Sequence, residues 1–334
     1  IANFMPSMKK SASPKVQRLE EKEEASLLDL PDLALECILE RLSPAGLSSM
    51  AGVCSSLRDW CRSDHLWEKH MKQKWGKLIG DAAYRKWQIE VDLRKRKTML
   101  ECSKEKGLCG LVSKLWPFSS DRSKVDGNGE QSCYSLPVDS IMAWYLSLEG
   151  GKFLFPAQVY NRENGNVGFM LSCYDAELSY DSATDTFKAR YSSHGRPTVE
   201  DNIEWSRLRA PAVDTPAHVL HVSDCLNELR PGDPIEIQWR RNKDFPYGWW
   251  YGVVGHLEPC DGNDLHCWCH FNDTVVLEFK QYTLASRWRQ VEINRKEHRE
   301  VGDEAGGFYG GIRKLHHEED ILTWKRLWPT QIVE

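Results

Sequence analysis

The chain has 334 residues, of which 41% are hydrophobic and 28% are charged, and its formal net charge at pH 7 is −5. This composition is typical of a globular protein and excludes a wholly disordered chain or a coiled-coil rod. The negative charge argues against nucleic acid as a partner of the whole chain, because neutralising phosphates requires a basic surface. The length suggests about two domains. The 14 tryptophans indicate aromatic cores, recognition surfaces or both.

The pattern of apolar residues and cysteines bears on the cellular compartment. No stretch approaches the roughly 18 consecutive apolar residues of a spanning helix, so we expect no membrane segment in this chain. No signal-peptide pattern is present either, although the chain starts at Ile1 and leaves open what precedes it. The 11 cysteines are odd in number and scattered. Reduced thiols in the cytoplasm or nucleus are therefore expected.

Residues 27–97 carry apolar side chains at helical spacing and are predicted to form a small helical unit, after a mobile tail at 1–26. Pro31 suits the first turn of a helix, because its fixed φ matches helical geometry. Ser43 and Pro44 are typical of the N-cap and first position of the next helix. The first helix would carry one apolar stripe, formed by Leu35, Ile38, Leu39 and Leu42.

The pattern changes after residue 97. Between 98 and 137 the periodicity fails and serine, glycine and asparagine accumulate, which predicts a linker. From 138 to 334 short β-type runs alternate with turn residues. The predicted strands are 153–160, 167–174, 186–191, 234–239, 249–257, 266–270, 274–279 and 288–293. The predicted fold class is therefore α+β and multidomain, with a small helical unit before a mostly antiparallel β-rich domain of sandwich or small-barrel type.

The helical segment contains an ordered set of motifs. A Leu-Pro entry comes first, followed by an Ile-Leu pair, a Val-Cys pair and a Leu-Trp pair: Leu30-Pro31, Ile38-Leu39, Val53-Cys54 and Leu66-Trp67. This order resembles the F-box, and the chain looks like a plant-type F-box protein with a β-rich C-terminal domain. The resemblance covers residues 28–67. Two positions depart from the family pattern, because Leu57 stands where tryptophan is usual and Gly46 where an acidic residue is common.

The resemblance implies a non-catalytic adaptor. Such a protein docks on a Skp-family adaptor and, through it, on a cullin scaffold, while another part of the chain holds a protein substrate for ubiquitin transfer. The expected function is substrate recognition for an SCF-type ubiquitin ligase, in the pathway of ubiquitination and proteasomal degradation. The predicted docking residues are Leu30, Pro31, Ile38, Leu39, Leu42, Leu47, Val53 and Cys54. The alternative that half of these only hold the helices together stays open.

The β-rich domain has an aromatic run that resembles, weakly, a Tudor or agenet type small barrel. In that group aromatic cages hold methylated lysine or arginine by cation–π attraction. Strand alternation places Trp249 and Tyr251 on one face and Trp250 on the other, so half of these rings must belong to a core. The predicted substrate-binding residues are Trp249, Trp250, Tyr251 and Trp288. The alternative function is thus a reader of modified protein tails.

Metal and catalytic motifs give weaker signals. His266, Cys267, Cys269 and His270, with Cys260 upstream, offer zinc ligands. On a strand, however, the two cysteines would face one way and the two histidines the other. The sequence therefore predicts no metal, and no cofactor is expected. We find no nucleophile elbow, zinc-protease motif or dinucleotide fingerprint and predict no catalytic residues.

Overall fold

The computed structural model describes residues 27–105 and 139–327, apart from gaps at 166–167, 194, 214, 241–242, 259, 261, 263–266 and 301–309. The predicted tail, and the predicted linker from 106 onward, lie outside the described residues. Contacts divide the chain after Cys61 into a helical unit and a sheet unit that begins at Arg62. Every described helix is too short or too polar to cross a lipid bilayer.

The helical unit consists of a 3-10 turn and three short α-helices: Leu27–Asp29, α1 (Asp32–Leu39), α2 (Pro44–Ala51) and α3 (Ser55–Cys61). The sequence explains where α2 begins. Ser43 Oγ accepts a hydrogen bond from the N–H of Gly46 at 3.2 Å, and Pro44 occupies the first helical position. The predicted N-cap is therefore present, and it satisfies one of the free amides at the helix start.

The sheet unit contains the remaining helices: α4 (Asp64–Trp75), α5 (Asp81–Glu105), α6 (Ile141–Glu149) and α7 (Glu318–Leu327). Their positions differ from the predicted organisation in three respects. Helices α4 and α5 belong to the sheet unit, whereas residues 27–97 are predicted to form one helical unit. Helix α5 continues through 98–105, which is predicted to be linker. Helix α6 lies at the start of the segment that is predicted to be β-rich.

Helix α6 is fixed at both of its ends. Ser140 Oγ accepts a hydrogen bond from the N–H of Ala143 at 3.2 Å, and Asp64 Oδ1 accepts one from the N–H of Ile141 at 3.0 Å. Its carboxyl end is joined to α4 by an ion pair of 2.7 Å between Lys74 and Glu149. Acceptors and negative charge at a helix start stabilise it, because the first amides have no partner inside the helix.

All strand pairs among the described residues are antiparallel, which confirms the predicted sheet type. The strands are β1 (Phe155–Gly165), β2 (Gly168–Asp181), β3 (Thr186–Ser193), β4 (Arg196–Ile203), β5 (Leu208–Arg209), β6 (Pro234–Trp239), β7 (Gly248–Val254), β8 (Thr274–Glu278), β9 (Gln290–Asn294) and β10 (Ile312–Lys314). They form one ten-stranded sheet.

The sheet branches because β2 and β7 each pair with two different strands along one edge. One edge of β2 pairs along β1, whereas the other edge pairs with β3 over 176–181 and with β7 over 172–174. Strand β7 pairs with β6 on one side, and on the other with β2 and, at Val253 and Val254, with β8. Strand β7 is thus central and has no free edge for an added strand.

Two apolar clusters cover the two faces of β7. Trp250 belongs to a cluster with Ile235, Ile237 and two residues of β8, Val275 and Leu277. Trp249 and Tyr251 belong to a second cluster with Trp324 of α7. The predicted alternation along β6 is confirmed, because Ile235 and Ile237 share one face with the partly buried Trp239. Side chains on both faces of the central strands are therefore enclosed.

Aromatic rings hold the helices on the sheet. The ring of Trp75 in α4 lies 5.2 to 6.2 Å from four other rings, which belong to Phe155, Tyr180, Phe187 and Trp205. Trp87 of α5 stacks on Trp144 of α6 with centroids 4.7 Å apart and planes 5° apart. Such pairs add to the stabilisation that comes from buried area. Several of the 14 tryptophans therefore serve packing.

Several strand predictions are confirmed and one is wrong. The strand predicted at 234–239 coincides with β6, and those at 153–160, 186–191 and 274–279 overlap β1, β3 and β8. The strand predicted at 266–270 is absent from its described part, where Cys269–Phe271 forms a 3-10 turn. Strand β4 was missed because its sequence is polar and contains Pro197, as suits an edge strand with exposed side chains.

Candidate functional site

The helical unit exposes a row of apolar side chains. Helix α1 has six apolar residues among eight, but only Leu35 and Leu39 are buried. Leu33 is 76% exposed, and Cys37 and Ile38 are exposed beside it. At 100° per residue these three side chains and Ala34 cover one continuous arc of the helix. An apolar arc of this width that faces solvent is typical of a protein-docking surface.

Further apolar side chains of the helical unit are exposed before α1 and after α2. Leu28 and Leu30 are exposed before α1, and Val53, just after α2, is 68% exposed. Cys54 helps to begin α3, because its Sγ accepts the N–H of Leu57 at 3.5 Å. We call the exposed apolar residues of the helical unit the docking face: Leu28, Leu30, Pro31, Leu33, Cys37, Ile38 and Val53.

The predicted docking residues fall into three groups. Leu30, Pro31, Ile38 and Val53 are exposed and belong to the docking face. Leu42 and Cys54 are half-buried, and Leu39 and Leu47 are fully buried. The burial of Leu39 and Leu47 fits the alternative that some motif residues only hold the helices together.

Three residues of the docking face were not predicted: Leu28, Leu33 and Cys37. The sequence does carry a signal for two of them. Leu33 and Cys37 are four residues apart and therefore lie on the same side of α1. The sequence analysis followed the stripe through Leu35 and Leu39 instead, which is the buried side. When a helix carries two apolar stripes, only one of them can face the core of its own unit, and the other is left exposed.

The structure places the predicted substrate-binding aromatics mainly in the core. Trp249, Trp250 and Tyr251 are buried in the two clusters that cover β7. Trp288 is half-buried, packs against the same cluster as Trp250, and has the guanidinium of Arg287 4.5 Å from its ring centroid. The three buried rings do not line an open cage, since strand β7 is covered on both faces.

Buried charges in the sheet unit form a closed network. Glu236 is fully buried, and its carboxylate accepts hydrogen bonds from Arg209 at 2.6 and 3.1 Å, from Arg313 at 2.9 Å and from Nε1 of Trp324. Burial alone would raise the pKa of Glu236, but Arg209 and Arg313 hold it below its ordinary value. The network joins β5, β6, β10 and α7, which is a structural role.

A cluster of metal-ligand types lies beyond the end of β7. His256, Cys260, Cys267 and Cys269 have potential ligand atoms that all lie within 4.8 Å of one another. No metal is predicted here from the sequence, because a strand at 266–270 would separate the cysteines from the histidines, but that strand is absent where the stretch is described. His256 was not among the candidate ligands, because it lies in sequence outside the cysteine-rich segment. The turn at Cys269 brings the sulfurs to one side.

Exposed apolar side chains on a small set of helices are followed in the chain by a separate sheet unit. A model of the F-box domain matches residues 27–69 and so covers the docking face and the start of α4. F-box proteins are generally substrate adaptors of SCF-type ubiquitin ligases and are generally non-catalytic.

Two curated relatives cover nearly the whole chain. It is similar to F-box protein At2g26850 of Arabidopsis thaliana, 58% identical over 317 residues, which are 92% of this chain and 84% of the relative. It is also similar to F-box protein At2g41170 of Arabidopsis thaliana, 53% identical over 338 residues, which are 98% of this chain and 89% of the relative. The chain therefore belongs to the F-box protein family.

Proposed function

We propose that this protein is the substrate-recognition subunit of an SCF-type ubiquitin ligase, and that the docking face binds a Skp-family adaptor. The exposed apolar arc of α1 carries the proposal, because an isolated unit of three short helices gains nothing from leaving Leu33 and Val53 in water. Through the Skp-family adaptor the chain would join a cullin scaffold.

The mechanism that follows is proximity. A substrate held by the sheet unit would have its lysines near a conjugating enzyme carried by the scaffold, so a bimolecular encounter becomes a local one. This requires affinity and geometry, and neither an acid, a base nor a nucleophile from this chain. We accordingly infer a non-catalytic role.

Charge insertion into the docking face tests the first step. Leu33→Asp combined with Val53→Asp places two carboxylates where apolar contacts are expected, and both sites are exposed, so the fold should persist. Burial of two such side chains is worth about 3 kcal/mol or more, which corresponds to at least about a hundredfold weaker binding. Titration of a purified Skp-family protein by calorimetry measures the change.

A matched control separates a specific contact from a general effect of added charge. Leu284→Asp changes a side chain that is 87% exposed in the sheet unit and should leave the affinity unchanged. Circular dichroism of all three proteins should coincide. Unchanged affinity of the Leu33→Asp, Val53→Asp protein would refute the proposed face.

The substrate side is a separate proposal. We infer that the protein substrate is bound by loops of the sheet unit, because the aromatics of β7 are enclosed. Trp268 and Phe271 are exposed with ring centroids 5.6 Å apart, and Trp268 borders a groove of about 870 Å³. Exposed aromatic rings beside a groove are typical anchors of protein interfaces. The alternative function, a reader of modified protein tails, is not supported by Trp249, Trp250 and Tyr251, because these three rings are buried.

Cells that carry the Leu33→Asp, Val53→Asp protein should accumulate the substrate, since it would be bound but not ubiquitinated. The same substrate should co-purify with that protein and be lost when Trp268→Ala and Phe271→Ala are added. If co-purification survives these two changes, the substrate is bound elsewhere.

The cysteines support a proposal about the cellular compartment. The eight cysteines whose side chains are described are free thiols, which suits a reducing compartment. We propose the cytoplasm, the nucleus or both, where ubiquitin ligases of this type would act. Imaging of a fluorescent fusion in living cells tests this, and a secreted fusion would contradict it.

A further inference from the structure

The connection between Val254 at the end of β7 and Thr274 at the start of β8 is long for a compact domain. Loops of more than about 12 to 15 residues without regular structure need stabilisation of their own or serve a function. The regular structure described here is a single 3-10 turn, Cys269–Phe271. The cluster of His256, Cys260, Cys267 and Cys269 ties the two halves of this connection together.

Four of the six distances between the potential ligand atoms are close to those of a tetrahedral zinc site. With Zn–S bonds of about 2.3 Å and Zn–N bonds of about 2.0 Å, two sulfurs are about 3.8 Å apart and a sulfur and nitrogen about 3.5 Å. Sγ of Cys260 and Sγ of Cys267 are 3.8 Å apart. Nδ1 of His256 lies 3.4 Å from each of these sulfurs and 3.9 Å from Sγ of Cys269.

The donor set selects the kind of metal. Three sulfurs and one imidazole nitrogen suit zinc, whereas calcium and magnesium prefer oxygen ligands. Four protein ligands leave no open position for water, so the site is of the structural and not the catalytic type. A disulfide does not explain the cluster, because its sulfurs would be about 2.05 Å apart.

Backbone amides point at two of the sulfurs. The N–H of Leu257 donates to Sγ of Cys269 at 3.3 Å, and the N–H of Gly262 donates to Sγ of Cys260 at 3.4 Å. Gly262 has φ of +73°, a conformation that glycine adopts without strain. Amide donors of this kind offset the negative charge of metal-bound thiolates and orient the ligands.

We propose that His256, Cys260, Cys267 and Cys269 bind one zinc ion, which fixes the connection between β7 and β8. The ion would act on the fold, because it would tie together ligands that come from both halves of a long connection. The site is independent of the docking face, so its removal should leave binding of a Skp-family protein unchanged.

Metal analysis of the full chain, purified without chelators and under reducing conditions, tests the proposal. Elemental analysis by inductively coupled plasma mass spectrometry should find about one zinc ion per chain. Absorption spectroscopy at the zinc edge should find about three sulfurs near 2.3 Å and one nitrogen near 2.0 Å. Failure to retain zinc after incubation with zinc chloride, or a shell dominated by oxygen, would overturn it.

Substitution of ligands gives a second test. Cys260→Ser with Cys267→Ser removes two half-exposed ligands and should lower the zinc content at least tenfold. Cys37→Ser, an exposed cysteine of the helical unit, is the matched control and should keep its zinc. Equal zinc content in all three proteins would contradict the assignment. Should the double variant not fold, the spectrum of the unaltered protein still decides.

Discussion

Replacing Glu236 by glutamine should destabilise the sheet unit far more than any exposed acidic residue does. The change keeps the shape of the side chain but removes the charge that faces Arg209 and Arg313. These guanidiniums are nearly buried, and the other carboxylate close to them, that of Asp320, lies 3.8 and 3.7 Å away. Two buried cations would therefore lose their main partner.

The magnitude follows from the geometry. Removing one partner from a buried ion pair costs about 3 to 5 kcal/mol, because the other charge stays buried without compensation. Glu236 has two such partners and also accepts from Nε1 of Trp324, so we expect the loss to lie near 4 kcal/mol or above. With a slope of about 3 kcal/mol/M, this lowers the urea midpoint by about 1.3 M.

Urea unfolding followed by tryptophan fluorescence is the assay, since Trp324 contacts the altered side chain. Glu177→Gln is the matched control, because Glu177 is half-exposed and pairs with Lys86 at 2.8 Å on the surface. Exposed pairs of this kind contribute about 0 to 1 kcal/mol. If Glu236→Gln costs no more than the control, the network does not hold the sheet unit together.

The same network predicts a dependence on pH. The folded state holds the pKa of Glu236 below its ordinary value, so the unfolded state binds the proton more tightly. The contribution of this group is thus present above the unfolded pKa of about 4.3 and is lost as pH falls through the folded pKa. The stability difference between the unaltered protein and Glu236→Gln should shrink below about pH 4.

Two further substitutions test local packing. Gly311→Ala would place a Cβ 2.0 Å from the carbonyl oxygen of His221 and should lower the free energy of unfolding, measured in urea, by about 2 kcal/mol or more. Gly46→Ala is the control, because the nearest atom to its Cβ would be 3.4 Å away and the free energy of unfolding should not fall. Ser43→Ala removes the N-cap of α2 and should lower the stability of that helix by about 1 kcal/mol, which faster amide hydrogen exchange in α2 would show. Ser56→Ala changes an exposed serine of α3 and should leave amide exchange unchanged.

The individual helices α1 to α3 could be predicted well because their signals are local. Ser43 and Pro44 mark the start of α2 through their own chemistry, and apolar spacing marks the helices. Which apolar stripe stays exposed could not be predicted, because burial depends on neighbours distant in sequence. The docking face thus needed the structure, although the motif that contains it did not.

The sheet unit was harder to predict. Helix α6 is apolar and aromatic over most of its length, and a short apolar run does not by itself distinguish a helix from a buried strand. Its local signals were Ser140 at the N-cap and Gly150 after the last turn. Strand β7 was predicted in place, yet the burial of its Trp249 and Tyr251 face depends on Trp324 of α7, which lies far along the chain.

The candidate metal site shows why spacing alone misleads. Alternation along a strand separates cysteines from histidines, but a turn at Cys269 and a histidine after β7 bring four ligands together. The relevant distance is measured in space and not along the chain. The periodicity of the sequence gives no information about this distance.

Because the central strands are enclosed, we expect the substrate to contact the connections between them. The β7–β8 connection carries both the exposed Trp268 and the zinc ligands Cys267 and Cys269 on either side of it. A loop that a metal holds in place presents an aromatic side chain with less loss of conformational entropy on binding. Trp268→Ala should therefore lose substrate and keep zinc, whereas Cys260→Ser with Cys267→Ser should lose both. Substrate binding that survives loss of zinc would separate the two sites.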